Sequence, residues 1–558
     1  MSRTPLFRLV RRSLLLARHS LHSPQPVAEL VDMARERRAR ALGAMSTATP
    51  PATMRAISRR GFVTVSAGAA AGLAMEACAP PVITRTAARQ RPVVIVGAGI
   101  AGLTAAWRLR QAGVPVQIHE AQNRVGGRMY SLRGGMADNQ VIELGGELID
   151  TNHTAIRNLA SELGIVLDDL SLDNPELSGD LWFLDGTRRS DAEVIAAFRP
   201  VAAAIERSIA PLGDDEITYR TPGVATPLDR RTLAEWLDGA DVRGWMRTLL
   251  DVAYTTEYGL EPDDQSALNL LTMIGTEPDS FEIFGESDER FHVRGGNDLI
   301  PTALGERLDD AIHTGNMLEA VSRRPGGSYL CTFRRDSGTV EVEADQVIIA
   351  IPFTLLRDVR LDVELPGAKR RAIAELGYGT NAKLMVGFAE RVWRTRHGSN
   401  GSTLTNLPYQ LTWETSRMQA GRSGVLTNFT GGRQGLSVGS GTPEEQATTM
   451  VGELERIFPG ARDAHAGQRA VRFHWPTFPW TRGSYASYRP GQWTALRGAE
   501  GESVDRLHFA GEHCSLPAQG FMEGGCETGE AAARAVLAAA GMRAASGMRA
   551  ASMFTRPG

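Results

Sequence analysis

Residues 93–128 read VVIVGAGIAGLTAAWRLRQAGVPVQIHEAQNRVGGR. A short apolar run, Val93 to Val96, enters a Gly97-x-Gly99-x-x-Gly102 turn, and an alanine- and leucine-rich stretch follows as far as Gly113. A second apolar run then ends on Glu120. The order predicts strand, tight turn, helix and strand, with an acid about 20 positions after the glycines, which is the pattern of a dinucleotide site. In this reading Gly97 permits the turn, Gly99 lets backbone approach a pyrophosphate, and Gly102 packs helix against strand. The turn residues Gly97, Ala98, Gly99, Ile100, Ala101 and Gly102 thus present a helix N-terminus, with its positive dipole end, to the phosphates. Glu120 can accept both hydroxyls of an adenosine ribose and would repel a 2′-phosphate.

The next residues narrow the choice. Glu120 and Ala121 lead into Arg124-x-Gly126-Gly127-Arg128, and Glu143-Leu144-Gly145-Gly146 follows. This arrangement resembles the flavin amine oxidase superfamily, which includes monoamine, polyamine and L-amino acid oxidases together with desaturase and porphyrinogen-oxidase relatives. The resemblance covers about residues 91–541 and implies FAD. Gly126 and Gly127 would pass close to the ribityl chain and pyrophosphate, Gly145 and Gly146 continue the same site, and Arg124 and Arg128 would supply positive charge to the phosphates.

Length and charge set the frame. At 558 residues the chain is too long for one core. The expected fold is α/β: a discontinuous Rossmann-type FAD-binding domain built from residues 91–154, 287–366 and 500–541. Residues 155–286 and 367–499 are expected to form an α+β substrate domain with a helical insertion. Residues 155–271 read as mostly helical, and 317–351 as a run of strands. The net charge of −3 hides an asymmetry: residues 1–91 hold 15 arginines and 4 acids, leaving residues 92–558 at −14. An acidic body argues against nucleic acid and favours cationic substrates.

The basic N-terminus has its own reading. Residues 1–53 form an extension expected to be disordered. Residues 54–90 contain Ser58-Arg59-Arg60-Gly61-Phe62-Val63, a twin-arginine signature, followed by an Ala/Gly-rich apolar stretch. That implies export, periplasmic or secreted, of a protein that loads its cofactor before crossing, with the twin-arginine translocation machinery as partner. Cys78, Cys331, Cys514 and Cys526 show neither CxxC nor disulfide spacing, and no metal site is expected. Residues 542–558 repeat Gly-Met-Arg-Ala-Ala-Ser and read as a disordered tail. A homodimer is left open.

Further site residues come from the resemblance. His508 to Gly525 (HFAGEHCSLPAQGFMEGG) is similar to the superfamily's C-terminal flavin motif, implying that Gly511, Glu512, Gly520, Phe521 and Met522 line the cofactor. A helix starting there would direct its N-terminus at the flavin and stabilise negative charge on it. Backbone near Val321 would reach the adenine. Lys383, in Gly379-Thr-Asn-Ala-Lys383-Leu384, matches a strand bearing a lysine near the flavin's reactive nitrogen, where it would assist reoxidation. Ser484 occupies the place where monoamine oxidases tether the flavin through cysteine, so FAD is expected to be noncovalent. Tyr485 and Phe521 fall at the two walls of the family's aromatic cage. Leu148 stands where L-amino acid oxidases usually carry a carboxylate-gripping arginine. Glu147 is either a contact for a second substrate cation or a structural carboxylate.

The expected reaction is oxidation of a C–N bond in a primary amine, polyamine or L-amino acid. The α-hydride goes to FAD, the imine hydrolyses, and molecular oxygen reoxidises the cofactor to give hydrogen peroxide. An apolar cage would lower the amine pKa by desolvation, so no general base is required. The alternatives are C–C desaturation or porphyrinogen-type dehydrogenation, and a dehydrogenase that passes electrons to a partner.

Overall fold

A computed structural model of the chain describes residues 91–179, 181–213, 215–273 and 288–542. The twin-arginine signature, most of the C-terminal tail and part of the expected helical insertion lie outside these residues.

The quoted stretch builds the centre of a five-stranded sheet. Val93–Val96 lies between Val116–His119 on one side and Val347–Ile349 on the other, and Ile312–His313 and Leu507–Phe509 form the edges. Every neighbouring pair is parallel, with Val94 opposite Val347 and Ile95 opposite Ile118. A continuous apolar strand suits a parallel sheet covered on both faces. The helix Ile100–Gln111 follows the glycine turn and packs against a C-terminal helix, Met522–Ala539. Their approach depends on missing side chains: a Cβ on Gly529 would stand 2.3 Å from the Ala101 carbonyl oxygen. Leu103, Ala106 and Leu109 join Ile118, Ile348, Val536 and Leu537 in one core.

Beside this unit, Met317–Arg323, Tyr329–Arg335 and Gly338–Ala344 form an antiparallel meander, and Arg360–Asp362 pairs parallel to its first strand. A seven-stranded sheet holds, in order, Ala470–His474, Ala382–Phe388, Gly424–Thr430, Leu411–Glu414, Thr403–Thr405, Leu181–Leu184 and Thr187–Arg189. Strand alternation divides Ala382–Phe388 between two environments. Leu384, Val386 and Phe388 enter a core with Trp393 and Leu426, whereas Met385 packs with Ile142 and Leu144. Lys383 and Met385 share the second face, so the strand directs Lys383 toward the segment that carries Gly145 and Gly146.

The mixed α/β architecture with a parallel nucleotide-type sheet is the expected fold class. One stretch departs from expectation. Residues 155–271 include, besides helices such as Asp191–Ile209 and Gly244–Tyr258, the hairpin 181–189. Its turn is Asp185-Gly186, both in the left-handed region at φ 51° and 74°. An Asp-Gly pair between two short strands favours a tight hairpin, and here that chemistry outweighs the surrounding helical periodicity. Among the described residues, no helix is long and apolar enough to cross a membrane, and no group of three or more His, Cys, Asp or Glu could hold a metal ion.

Candidate active site

The glycine turn opens onto a cavity of about 640 Å³. Gly97 adopts φ +101°, and a Cβ there would stand 2.8 Å from the Ala350 carbonyl oxygen, so the position is closed to other residues by conformation and by space. Gly102 is closed by space alone, since its Cβ would meet the Gly97 carbonyl at 2.0 Å. Gly99 has nothing within 4 Å on that side, so a side chain there would project into open space. The helix that starts at Ile100 has no side-chain cap and no acid in its first turn, which leaves its N-terminus suited to an anion. Glu120 is locked in place. One oxygen accepts from the Ala98 N–H at 2.7 Å and the other from the Gln122 N–H at 2.8 Å. Burial raises its pKa against these hydrogen bonds.

Most of the expected cofactor residues meet around this cavity. Gly97, Gly99, Ile100, Ala101, Glu120 and Ala121 line it from the first motif, and Gly126, Gly127 and Arg128 from the second. Gly511, Glu512, Phe521 and Met522 line it from the C-terminal segment. Arg128 donates to Glu512 at 2.6 Å and to the Ser484 carbonyl at 3.0 Å. Glu512 also accepts from the backbone of Ala486 at 3.2 Å and Gly520 at 2.9 Å. Burial would raise the Glu512 pKa, but Arg128 holds it below the usual range. One buried carboxylate therefore ties together three distant stretches of chain.

Several expected contacts are one layer removed from the cavity. Ala98, Gly102, Gly520 and Tyr485 are buried and stand outside the cavity lining. Arg124 spends its guanidinium on the carbonyls of Val125 and Gly127, at 3.1 and 2.7 Å, and lies over the Tyr130 ring at 4.0 Å. It braces the loop where phosphate contact was expected. Val321 is fully buried, paired with Cys331 and Leu361, and the backbone that lines the cavity there is 316–319. The strand carries Val321 past the cavity edge into the small sheet. Gly145 and Gly146 pack tightly: a Cβ on Gly145 would stand 1.9 Å from the Arg128 carbonyl, and one on Gly146 would stand 2.8 Å from Met522.

Glu147 and Lys383 form the main correction. Lys383 Nζ donates to the Glu143 carbonyl at 3.1 Å, the Gly145 carbonyl at 2.8 Å and Glu147 Oε2 at 2.7 Å, and both side chains are 3% exposed. Glu147 Oε1 accepts from Trp413 Nε1 at 2.8 Å and Thr415 Oγ1 at 2.6 Å. Burial would raise the Glu147 pKa, yet Lys383 and these donors bring it below the usual value. Its carboxylate is committed inside the protein, so the charge argument for a di-cationic substrate loses its residue. Trp413, Thr415 and Asn297 were not singled out from the sequence. Asn297 Nδ2 donates to the carbonyls of Gly146 at 3.0 Å and Glu147 at 2.7 Å, pinning the glycine motif. Its place in Arg294-Gly-Gly-Asn297, at the start of a helix, was the available signal.

A Cβ on Gly520 would stand 3.4 Å from the Tyr485 ring, and Phe521 is the next residue. Tyr485 donates its hydroxyl to the Glu257 carbonyl, and the Phe521 ring packs edge-on against His153 at 4.8 Å. Ser484 is fully buried and donates to Asn381 Oδ1 at 2.7 Å. Glu523, in the first turn of the last helix, accepts from the Ala155 and Ile156 N–H groups at 2.8 and 2.9 Å. It thereby caps the helix Thr154–Leu163.

The comparisons agree with this geometry. The family model for flavin-containing amine oxidoreductases matches residues 100–537, and the chain belongs to that family. It is a flavin-dependent oxidoreductase of amines. An L-amino acid dehydrogenase of Synechocystis sp. is 25% identical over 82% of this chain and 97% of its own. The flavin-containing amine oxidase A of Sus scrofa is 25% identical over 80% of this chain and 85% of its own. A putrescine oxidase solved with bound putrescine shares the fold at a TM-score of 0.68 and 23% identity, covering 80% of this chain and 99% of that one.

Proposed function

We propose that the protein oxidises the C–N bond of a primary amine or L-amino acid at noncovalent FAD, with molecular oxygen as acceptor and hydrogen peroxide as product. The observation that carries this reading is the cavity of about 640 Å³ lined jointly by the glycine turn, Glu120, Arg128, Glu512 and Phe521. Its residues fit the cofactor: Gly99 leaves room for a pyrophosphate, the uncapped helix N-terminus at Ile100 offers N–H groups to it, and Glu120 is oriented for a ribose. Bound FAD would supply the hydride acceptor. The protein's part is to orient the amine beside the Phe521 ring, which lines the cavity, exclude water there and hold the amine unprotonated by desolvation. Leu148 in place of an arginine argues against a carboxylate grip at that position, while the Synechocystis relative supports an amino acid substrate.

A peroxide assay across primary amines, diamines and L-amino acids tests the proposal. Release from at least one class is expected; flavin reduction without peroxide would overturn the oxidase reading. A second reading is favoured by Lys383. A lysine ammonium has three N–H donors, and all three are engaged here, so none remains for a water or for charge developing on oxygen. That supports a dehydrogenase using another acceptor, and the Synechocystis relative is named a dehydrogenase. Export by the twin-arginine route stands beside these readings as a proposal supported by Arg59 and Arg60. Replacing both with lysine should retain activity in the cytoplasm, and unchanged export would refute it.

A further inference from the structure

Away from the cavity lining, a lysine and a cysteine share one acceptor. Lys369, in the helix Gly367–Glu375, is 2% exposed and donates Nζ to the Glu500 carbonyl at 2.6 Å. Cys514 donates Sγ to that same oxygen at 3.3 Å. The amine is fixed from the other side by the Phe509 ring, 3.8 Å from its nitrogen. The Glu500 carboxyl attracts the amine, but the hydrogen bonds its oxygens accept come from Tyr488 Oη at 3.1 Å and the Gly498 N–H at 2.7 Å. Burial lowers the Lys369 pKa to about 8, so a sizeable fraction of this amine is neutral and nucleophilic near pH 8. The other described cysteines differ. Cys331 and Cys526 are fully buried, with a leucine–phenylalanine strand and a threonine hydroxyl as surroundings, whereas Cys514 is partly exposed.

Cys514 also lies two residues beyond Glu512, which lines the cofactor cavity. Peroxide made there would meet this thiol early, a point that rests on the oxidase reading above. Burial pushes the Cys514 thiol well above its ordinary range, with Lys369 acting in the opposite direction. The neighbouring amine is therefore needed as a base before the sulfur can react, since the thiolate is the nucleophile.

We propose that Cys514 and Lys369 form an oxidative modification site, in which peroxide converts the thiol to a sulfenic acid and the lysine amine condenses with it to give a sulfur–nitrogen cross-link. In the first step, Lys369 takes the thiol proton and the sulfur attacks peroxide. The O–O bond breaks, an S–O bond forms, sulfur loses two electrons, and the departing hydroxide collects the proton as water. In the second, the neutral amine attacks sulfur. An S–N bond forms, the S–O bond breaks, and hydroxide leaves with an amine proton as a second water. The sum consumes one peroxide, the thiol and the amine, and removes two hydrogens from the protein. Sulfenic acids condense with a backbone nitrogen to give a sulfenamide, and a neutral side-chain amine is a stronger nucleophile than a backbone amide. The link would tie the helix Gly367–Glu375 to the turn Glu512–Cys514 and so fasten the Glu512 arm of the cofactor cavity.

The test uses the purified holoprotein, treated with hydrogen peroxide, digested without reductant and read by mass spectrometry. The expected result is one joined peptide containing Lys369 and Cys514, lighter than the sum of its parts by two hydrogens and separated by a thiol reductant. Cys514→Ser should abolish it. Lys369→Gln, which removes both the base and the nucleophile, should leave Cys514 a free thiol that neither joins a peptide nor reacts with a dimedone probe, and a dimedone adduct in this variant would overturn the role of Lys369 as base; should that variant fail to fold, the wild-type peptide map decides alone. A Cys514 that stays a free thiol, or advances to sulfinic acid without joining Lys369, overturns the proposal. A parallel arm replaces added peroxide with substrate turnover, with and without catalase. Cross-linking by added peroxide but not by turnover would uphold the modification site and count against the oxidase reading.

Discussion

Replacing Lys383 with methionine tests the buried pair at the base of the glycine motif. The change removes three hydrogen bonds, to the Glu143 and Gly145 carbonyls and to Glu147. It leaves a carboxylate that is 3% exposed with only Trp413 and Thr415 as donors. Each orphaned buried acceptor costs about 1–3 kcal/mol, and removing one member of a buried ion pair typically costs about 3–5 kcal/mol. A loss of about 4 kcal/mol is a large share of the roughly 5–15 kcal/mol that holds a domain folded. Adding Glu147→Gln should recover part of it, because a neutral amide needs less compensation than a stranded charge. Contacting residues show coupling energies of about 0.5–3 kcal/mol; the value expected here is at the upper end. Denaturant unfolding of the holoproteins, followed by tryptophan fluorescence and flavin release, measures all four corners of the cycle. Single-variant losses below about 1 kcal/mol, or losses that simply add, would show that the pair does not organise this region.

Three further outcomes follow from the site. Gly97→Ala should weaken FAD binding at least tenfold, since φ +101° and a carbonyl 2.8 Å from the new Cβ leave it no relaxed position; flavin fluorescence titration of the apoprotein would expose the error if affinity is unchanged. Acid precipitation should release all flavin into the supernatant, because Ser484 offers a hydroxyl already donated to Asn381; colour retained in the pellet would disprove a noncovalent cofactor. Burial raises Glu523 from 4.5 to about 7, so its contribution to stability is full below pH 4.5 and is lost as pH rises toward 7, by at most about 3 kcal/mol at 1.36 kcal/mol per unit. Glu523→Gln should flatten that part of the Tm–pH profile, and an unaltered slope between wild type and variant would refute the assignment.

The sequence was most readable where function constrains local backbone. Gly97, Gly99 and Gly102 announce a turn whose geometry is local, and the structure gives each the spacing that turn needs. Glu120 is legible for the same reason: it follows the second strand, and its oxygens are held by backbone within a few tens of residues. The Glu147–Lys383 pair was not legible, since its partners lie 236 positions apart and meet only through packing of the sheet face that carries Lys383 and Met385 against Leu144. Arg124 is less legible for a related cause: a guanidinium can neutralise phosphate or brace its own loop, and the contacts it makes here, to the carbonyls of Val125 and Gly127 and over the Tyr130 ring, are of the second kind. The hairpin at Asp185-Gly186 carries a two-residue turn signal that the helical spacing on both sides masks.

The same pair bears on which molecule takes the electrons. A lone ammonium near a developing negative charge attracts it at long range, whereas an ammonium 2.7 Å from a carboxylate presents only the weaker field of a dipole. Lys383 also gives its other donors to two backbone carbonyls, so moving it toward oxygen would break three bonds in a dry interior. Its local role is therefore to hold Glu143, Gly145 and Glu147 in place, and with them the backbone that Asn297 also pins through the Gly146 and Glu147 carbonyls. On this argument Lys383→Met should lower flavin retention and substrate-driven reduction together. A direct role in oxygen chemistry would instead leave reduction intact and slow only reoxidation in air. Stopped-flow measurement of the two half-reactions in the holoprotein separates these results, and selective loss of reoxidation would return Lys383 to the role that the sequence resemblance implied.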